Sequence, residues 1–218
     1  MERSLWDFIV ARWPELWDKA VEHLLHLTLP PVLIAIAVGV PLGVVARRSA
    51  ALRGPVLSGL GLIQTLPSLA LLALLLPLLG IGKANAIVAL TLYALFPIAM
   101  STAAGLAAVN PAVLEAARGL GFTARQQLWL VELPLALPVI VSGIRTAAVI
   151  DVGIATLATF ISAGGLGDLI YRGIRMDDTR LTVLAALAAM ALAMGVFFAI
   201  GLVERAMRRW TGPSTSTL

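Results

Sequence analysis

"EAARGLGFTARQQLWLVELPLALP", residues 115–138, sets Glu115, Arg118, Arg125, Gln126, Gln127 and Glu132 in the middle of a chain that is otherwise strongly apolar. Of 218 residues, 60% are hydrophobic and 13% charged, and mean hydropathy is +0.96. A soluble domain carries about a quarter charged residues, so the apolar excess needs a large core or a bilayer. The grouping of the apolar residues decides between them. Stretches free of Asp, Glu, Lys and Arg run 27–46, 54–82, 84–114, 152–167 and 181–203. A membrane-spanning helix needs about 20 apolar residues. The stretch 152–167 reaches that length only when joined to 133–150 across Arg145 and Asp151; the others reach it unaided.

The expected fold class is therefore an all-α integral membrane protein with about five transmembrane helices. Their approximate bounds are 24–46, 57–80, 85–109, 135–162 and 181–203, and the polar interval lies between the third and the fourth. Residues 1–23 carry Trp6, Trp13 and Trp17 among acidic residues, which reads as an amphipathic segment lying in the interface and bent at Pro14. They lack the basic start and compact apolar centre of a signal peptide. Residues 24–203 form the membrane domain, and 204–218 a cytoplasmic tail. Pro67, Pro77 and Pro97 fall inside spans, each freeing a carbonyl that a neighbour must satisfy.

Without cysteine, disulfides and thiolate metal sites are excluded, and no metal site is expected at His23 and His26. The pI near 10.3 fits basic loops beside a bilayer, not nucleic-acid binding. Arginine counts on the two sides are nearly even. Two clusters tight against span ends, at Arg47, Arg48 and Arg53 and at Arg205, Arg208 and Arg209, favour an N-terminus outside and a C-terminus in the cytoplasm, with Arg3 among the opposing charges.

The polar interval has internal punctuation. Asn110 is a good N-cap and Pro111 suits the first helical position. A short helix then carries Glu115, Ala116, Ala117 and Arg118, and Gly121 is a natural left-handed cap. Thr123 with Gln126 three residues on forms a capping-box pattern. That second helix is expected to run to Leu133, with Pro134 opening the next span. The interval 110–134 is thus a helix–turn–helix shaped by caps.

Glu115-Ala116-Ala117, three residues, Gly121, nine residues, Val131, one residue, Leu133-Pro134 resembles the EAA loop of permease subunits of type I ATP-binding-cassette importers, pattern EAA-x3-G-x9-I-x-LP. Val131 in place of isoleucine is the one departure. A chance match at six fixed positions is on the order of 10⁻⁶ at average residue frequencies. "QTLPSLALLALLLPLLGIG" (64–82), "ALFPI" (94–98), "LPLALPVIVSGIRTAAVI" (133–150) and "ISAGGLGDLIYRGI" (161–174) are similar to permeases of the osmoprotectant branch, for glycine betaine, carnitine and choline.

The resemblance implies a non-catalytic subunit of the cell inner membrane. Its partners would be ATPase subunits that dock on the loop, a second permease (identical or homologous) and a separate extracytoplasmic substrate-binding protein. No cofactor is expected in this chain; ATP and Mg would be bound by the ATPase. Glu115, Ala116, Ala117, Gly121, Leu133 and Pro134 would be the coupling residues. The residues themselves agree on catalysis: Gly82-Lys83 is the one Gly-Lys pair and lacks the glycine five positions earlier that a phosphate-binding loop requires.

Within the spans, Arg145 and Asp151 are charges that cost free energy in lipid. Six residues apart, they project about 240° from one another, so each needs its own partner. Asp151, Arg145, Tyr93 and Phe96 are the candidates for the translocation pathway, with a packing or hydrogen-bonding role as the competing reading of each. "GGLGDLIYRG" (164–173) reads as an outer gate, a docking site for a binding protein, or a plain re-entrant loop. Rival readings of the whole chain are a methionine-type or other small-solute permease, a self-contained channel or secondary transporter, and a membrane scaffold.

Overall fold

A computed structural model describes residues 5–210, with side chains from Trp6 to Met207. Arg3, tail residues 211–218 and the side chains of Arg208, Arg209 and Trp210 lie outside the described residues. The described residues form helices joined by short turns, with no strand among them. Its elements are α1 (Leu5–Glu22), α2 (Leu29–Arg48), α3 (Ala50–Thr65), α4 (Ser68–Leu79), α5 (Lys83–Ala107), α6 (Pro111–Gly119), α7 (Ala124–Gln127), α8 (Leu133–Ala155), α9 (Leu166–Arg175) and α10 (Thr179–Trp210).

Among the described residues, four uninterrupted helical stretches are long and apolar enough to cross a membrane: Trp6–Arg48, Lys83–Ala107, Ala124–Ile161 and Thr179–Met207. The expected second span exists as a bent pair, α3 and α4, turning through 100° at Leu66–Pro67. Counting the pair as one gives five spans. Pro67 explains the break: it has no N–H to continue the helix, and it drives Leu66 to extended geometry at ψ 135°.

Prolines also explain two π turns. Residues His23–Thr28 precede Pro30 and Pro31, and Leu128–Glu132 precede Pro134. A proline ring clashes with the carbonyl four residues earlier. A π turn widens the helix there and lets it continue. The interfacial segment and the first span are accordingly one helix, running through Pro14 into Arg48. The helix begun by Thr123 likewise passes through Leu133 and Pro134 without the junction expected there.

The central packing is α5 between α2 and α8. Gly39 and Gly43 of α2 face Ile98 and Thr102 of α5, a constant offset that makes the two helices parallel. On α8, Gly143 meets Ser101 while Gly105 of α5 meets Ala136 and Val139, so α5 and α8 are antiparallel. A Cβ on Gly43 would lie 2.6 Å from the Ala99 carbonyl oxygen. Close backbone approach at small residues is how helices associate where burial from water gives no driving force.

The topology has two ends. The first loop (Ser49), the 110–134 interval and the C-terminal half of α10 share one face; α1, the α4–α5 turn and residues 156–178 share the other.

Candidate functional site: the 110–134 loop and the braces behind it

The loop folds by its own caps. The Asn110 side chain accepts a hydrogen bond from the Ala112 N–H at 2.9 Å, and Pro111 is the first residue of α6. At the other end, the Gly121 N–H donates to the Arg118 carbonyl and the Phe122 N–H to the Ala117 carbonyl. This is the Schellman arrangement, with Gly121 in the left-handed region at φ +83°. The capping box is complete: Thr123 Oγ1 accepts from the Gln126 N–H, and Gln126 Oε1 accepts from the Thr123 N–H.

The caps leave a definite surface. Glu115, Ala116, Arg118, Gly121, Arg125 and Gln126 are exposed, while Ala117 is buried. Among the exposed apolar side chains of the interval, which include Trp129 and Leu130, Leu120 at 78% exposure and Val113 at 41% stand beside these residues, at the C-cap of α6 and on α6 itself. Sequence reasoning missed both; a leucine between two glycines at a helix end was the available signal. Leu133 and Pro134 are half-buried in the continuous helix below the loop.

The remaining polar residues of the interval have a different job. Gln127 and Glu132 are buried. Arg48, at the end of α2, reaches Glu132 at 3.7 Å and donates to the Ala124 carbonyl at 2.8 Å. The loop is thereby tied to the first span.

Inside the bundle, Tyr93 and Phe96 gather at the break in the second span. Pro97 cannot donate to the Tyr93 carbonyl, and the Gln64 side chain donates to it instead at 2.9 Å. In return, the Tyr93 hydroxyl donates to the Leu66 carbonyl at the break itself. Phe96 packs on Gly61. A span broken at Pro67 and a helix that runs on through Pro97 satisfy one another's free carbonyls here, as non-helical backbone at membrane depth requires.

Arg145 finds the partner its position called for: Glu204 of α10 at 3.2 Å, with the Phe197 ring centroid 4.5 Å from the guanidinium carbon. Asp151 does not. It is 0% exposed, and neither carboxylate oxygen meets a hydrogen-bond donor within the described chain. The structure therefore separates the four pathway candidates: Tyr93, Phe96 and Arg145 sit in interhelical contacts, and Asp151 stands alone.

Continuous spanning helices, a broken span braced by its neighbour and a capped loop on one face define a multi-pass helical membrane protein. The chain belongs to the inner-membrane components of binding-protein-dependent transport systems, whose family pattern matches residues 35–209. It is 42% identical over 202 residues to the glycine betaine/carnitine/choline transport system permease protein OpuCB of Bacillus subtilis, covering 93% of each chain. It is 44% identical over 178 residues to the osmoprotectant import permease protein OsmW of Salmonella typhimurium, covering 79% of this chain and 82% of that one. Among solved structures, a chain of the methionine transporter MetNI in an inward-facing conformation superposes with a TM-score of 0.81 at 25% identity, covering 89% and 97% of the two chains. An amino acid ABC transporter shares the fold at a TM-score of 0.77 and 20% identity. The resemblance to importer permeases of the osmoprotectant branch is borne out, and the protein is a multi-pass transport permease subunit.

Proposed function

We propose that this permease imports small quaternary-ammonium osmolytes of the glycine betaine, carnitine and choline class, driven by a separate ATPase that grips the 110–134 loop. The cargo reading rests on relatives above 40% identity named for those solutes. The coupling reading rests on one observation: a loop rigidified by three caps presents Glu115, Ala116 and Leu120 outward, with no element among the described residues covering them. A rigid, partly apolar knob beside a carboxylate suits a cleft on another protein.

In this reading the loop face is cytoplasmic, the N-terminus is outside and the C-terminus inside. ATP and Mg belong to the ATPase, and this chain performs no catalysis. A second permease completes the pathway, and an extracytoplasmic binding protein delivers cargo to the opposite face. Glu115 anchors the contact, and Gly121 sets the angle of α6. Movement of the loop reaches α2 through Arg48 and enters α8 directly, because Leu133 and Pro134 lie within one continuous helix. Asp151 is the pathway residue on this account, since a buried carboxylate without a partner gains most from meeting a cationic head group.

Uptake into proteoliposomes tests the proposal. Glycine betaine, choline and carnitine should enter only with ATP and a binding protein, and methionine should not. Uptake without ATP would identify a channel or secondary carrier instead.

A further inference from the structure

On the face opposite the loop, α1 docks onto the glycine-rich segment 162–168. The Glu22 carboxylate accepts from the Gly165 N–H at 3.2 Å, and His23 Nδ1 accepts from the Leu166 N–H at 3.3 Å. Gly164 and Gly165 have positive φ, and a Cβ on Gly164 would lie 2.6 Å from the Glu22 carboxylate. The glycines thus let the segment close over the end of α1.

Charges converge at this junction. Glu22 pairs with Lys19 and with Lys83, each at 2.9 Å, and Lys19 also pairs with Asp168 at 2.7 Å. Asp168 accepts from the Thr159 hydroxyl at 2.8 Å. These groups line a cavity of about 470 Å³, together with Ser162 and Tyr171. Tyr171 is held edge-on by Phe160 at 5.2 Å between ring centroids. Ser162, a non-glycine residue in the left-handed region at φ +55°, is exposed at the cavity. That conformation is uncommon outside glycine and collects at ligand sites.

Two ammoniums and two carboxylates sum to zero. A free cation or anion would leave the cavity charged. A zwitterion exchanges each existing contact for one of the same sign: its carboxylate meets the Lys83 ammonium, 44% exposed, and its quaternary nitrogen meets Asp168 beside Tyr171, displacing the Arg175 guanidinium that lies 5.8 Å from that ring's centroid. The size is that of a small-molecule pocket.

From this charge balance, cavity and aromatic wall we infer that the far face carries a receiving site for a small zwitterionic quaternary-ammonium carboxylate, occupied between release from the binding protein and passage into the bundle. The site rests on the osmolyte reading above and adds a position for the cargo on the permease itself. Lys83, Asp168 and Tyr171 are its specificity-determining residues.

The test is equilibrium binding of radiolabelled glycine betaine to the purified permease–ATPase complex in nanodiscs, without binding protein. Choline, which lacks the carboxylate, is the comparison ligand. Each lost charge-assisted contact should weaken binding by about tenfold or more. Glycine betaine should therefore bind wild type at least about tenfold more tightly than choline. Lys83→Gln should abolish that preference, Lys83→Arg restore it, Tyr171→Leu weaken both ligands, and Tyr171→Phe weaken neither. No saturable glycine betaine binding, equal affinity for choline, or an unchanged preference in Lys83→Gln would each overturn the site. Stimulation of ATP hydrolysis by loaded binding protein is measured on the same preparation. Stimulation without direct binding refutes this site and leaves the osmolyte reading standing; absence of both refutes the two together.

Discussion

The six polar residues that interrupt the middle of the chain are one cluster in sequence and two populations in space. Glu115, Arg118, Arg125 and Gln126 face outward, whereas Gln127 and Glu132 are buried, with Glu132 beside Arg48. Nothing local distinguishes them, because burial depends on where α2 ends, more than 60 residues earlier. The distinction predicts unlike variants. Arg48→Ala strands a buried carboxylate and should cost about 1–3 kcal/mol. Glu132→Gln leaves a half-exposed arginine that water can solvate, and should cost under about 1 kcal/mol. Thermal unfolding of the detergent-solubilised protein checks the order; equal losses would contradict the asymmetry, and no loss in either would mean that the pair carries no weight. At Gly43, where a Cβ falls 2.6 Å from the Ala99 oxygen, Gly43→Val should cost about 1–3 kcal/mol by forcing α2 from α5. An unchanged unfolding midpoint would contradict that packing.

Among the elements, prolines decide most of what the spacing of apolar residues leaves open. Spans were legible because their length is set by the bilayer and their composition by lipid. Two details were not. Pro134 reads as a helix start, yet a π turn carries the helix across it; Pro67 reads as a bend, yet the span breaks through 100°. The difference lies in tertiary partners. At the break, the Gln64 side chain satisfies the Tyr93 carbonyl and the Tyr93 hydroxyl satisfies the Leu66 carbonyl. Tyr93→Phe and Gln64→Leu should each lower stability by about 0.5–1.5 kcal/mol. Because both brace one joint, their combined effect should fall short of the sum. Strict additivity in unfolding measurements would show that the two bonds act independently.

For the whole molecule, the capped loop was readable because caps are local: Asn110, Gly121, Thr123 and Gln126 each act within a few residues of themselves. The clasp of α1 on segment 162–168 was not, since its partners lie 143 residues apart. Two faces follow from the topology, and the absence of native cysteine makes them directly testable. Leu120→Cys, on the loop, and Ile81→Cys, at the α4–α5 turn and 73% exposed, should label from opposite sides of the membrane. With the orientation proposed above, an impermeant thiol reagent added to intact cells should reach position 81 and not position 120. Labelling of both from one side would break the five-span topology.

The central claim is that the 110–134 loop transmits the work of a separate ATPase. Its most direct test is ATP hydrolysis by the reconstituted complex, stimulated by cargo-loaded binding protein, in wild type, Glu115→Ala and Gly121→Pro. Proline cannot adopt the positive φ that Gly121 holds, so the second variant re-aims α6. Stimulation in wild type, lost in both variants while permease and ATPase still co-purify, is the predicted result. Stimulation undiminished in both would mean that the loop is not the coupling element.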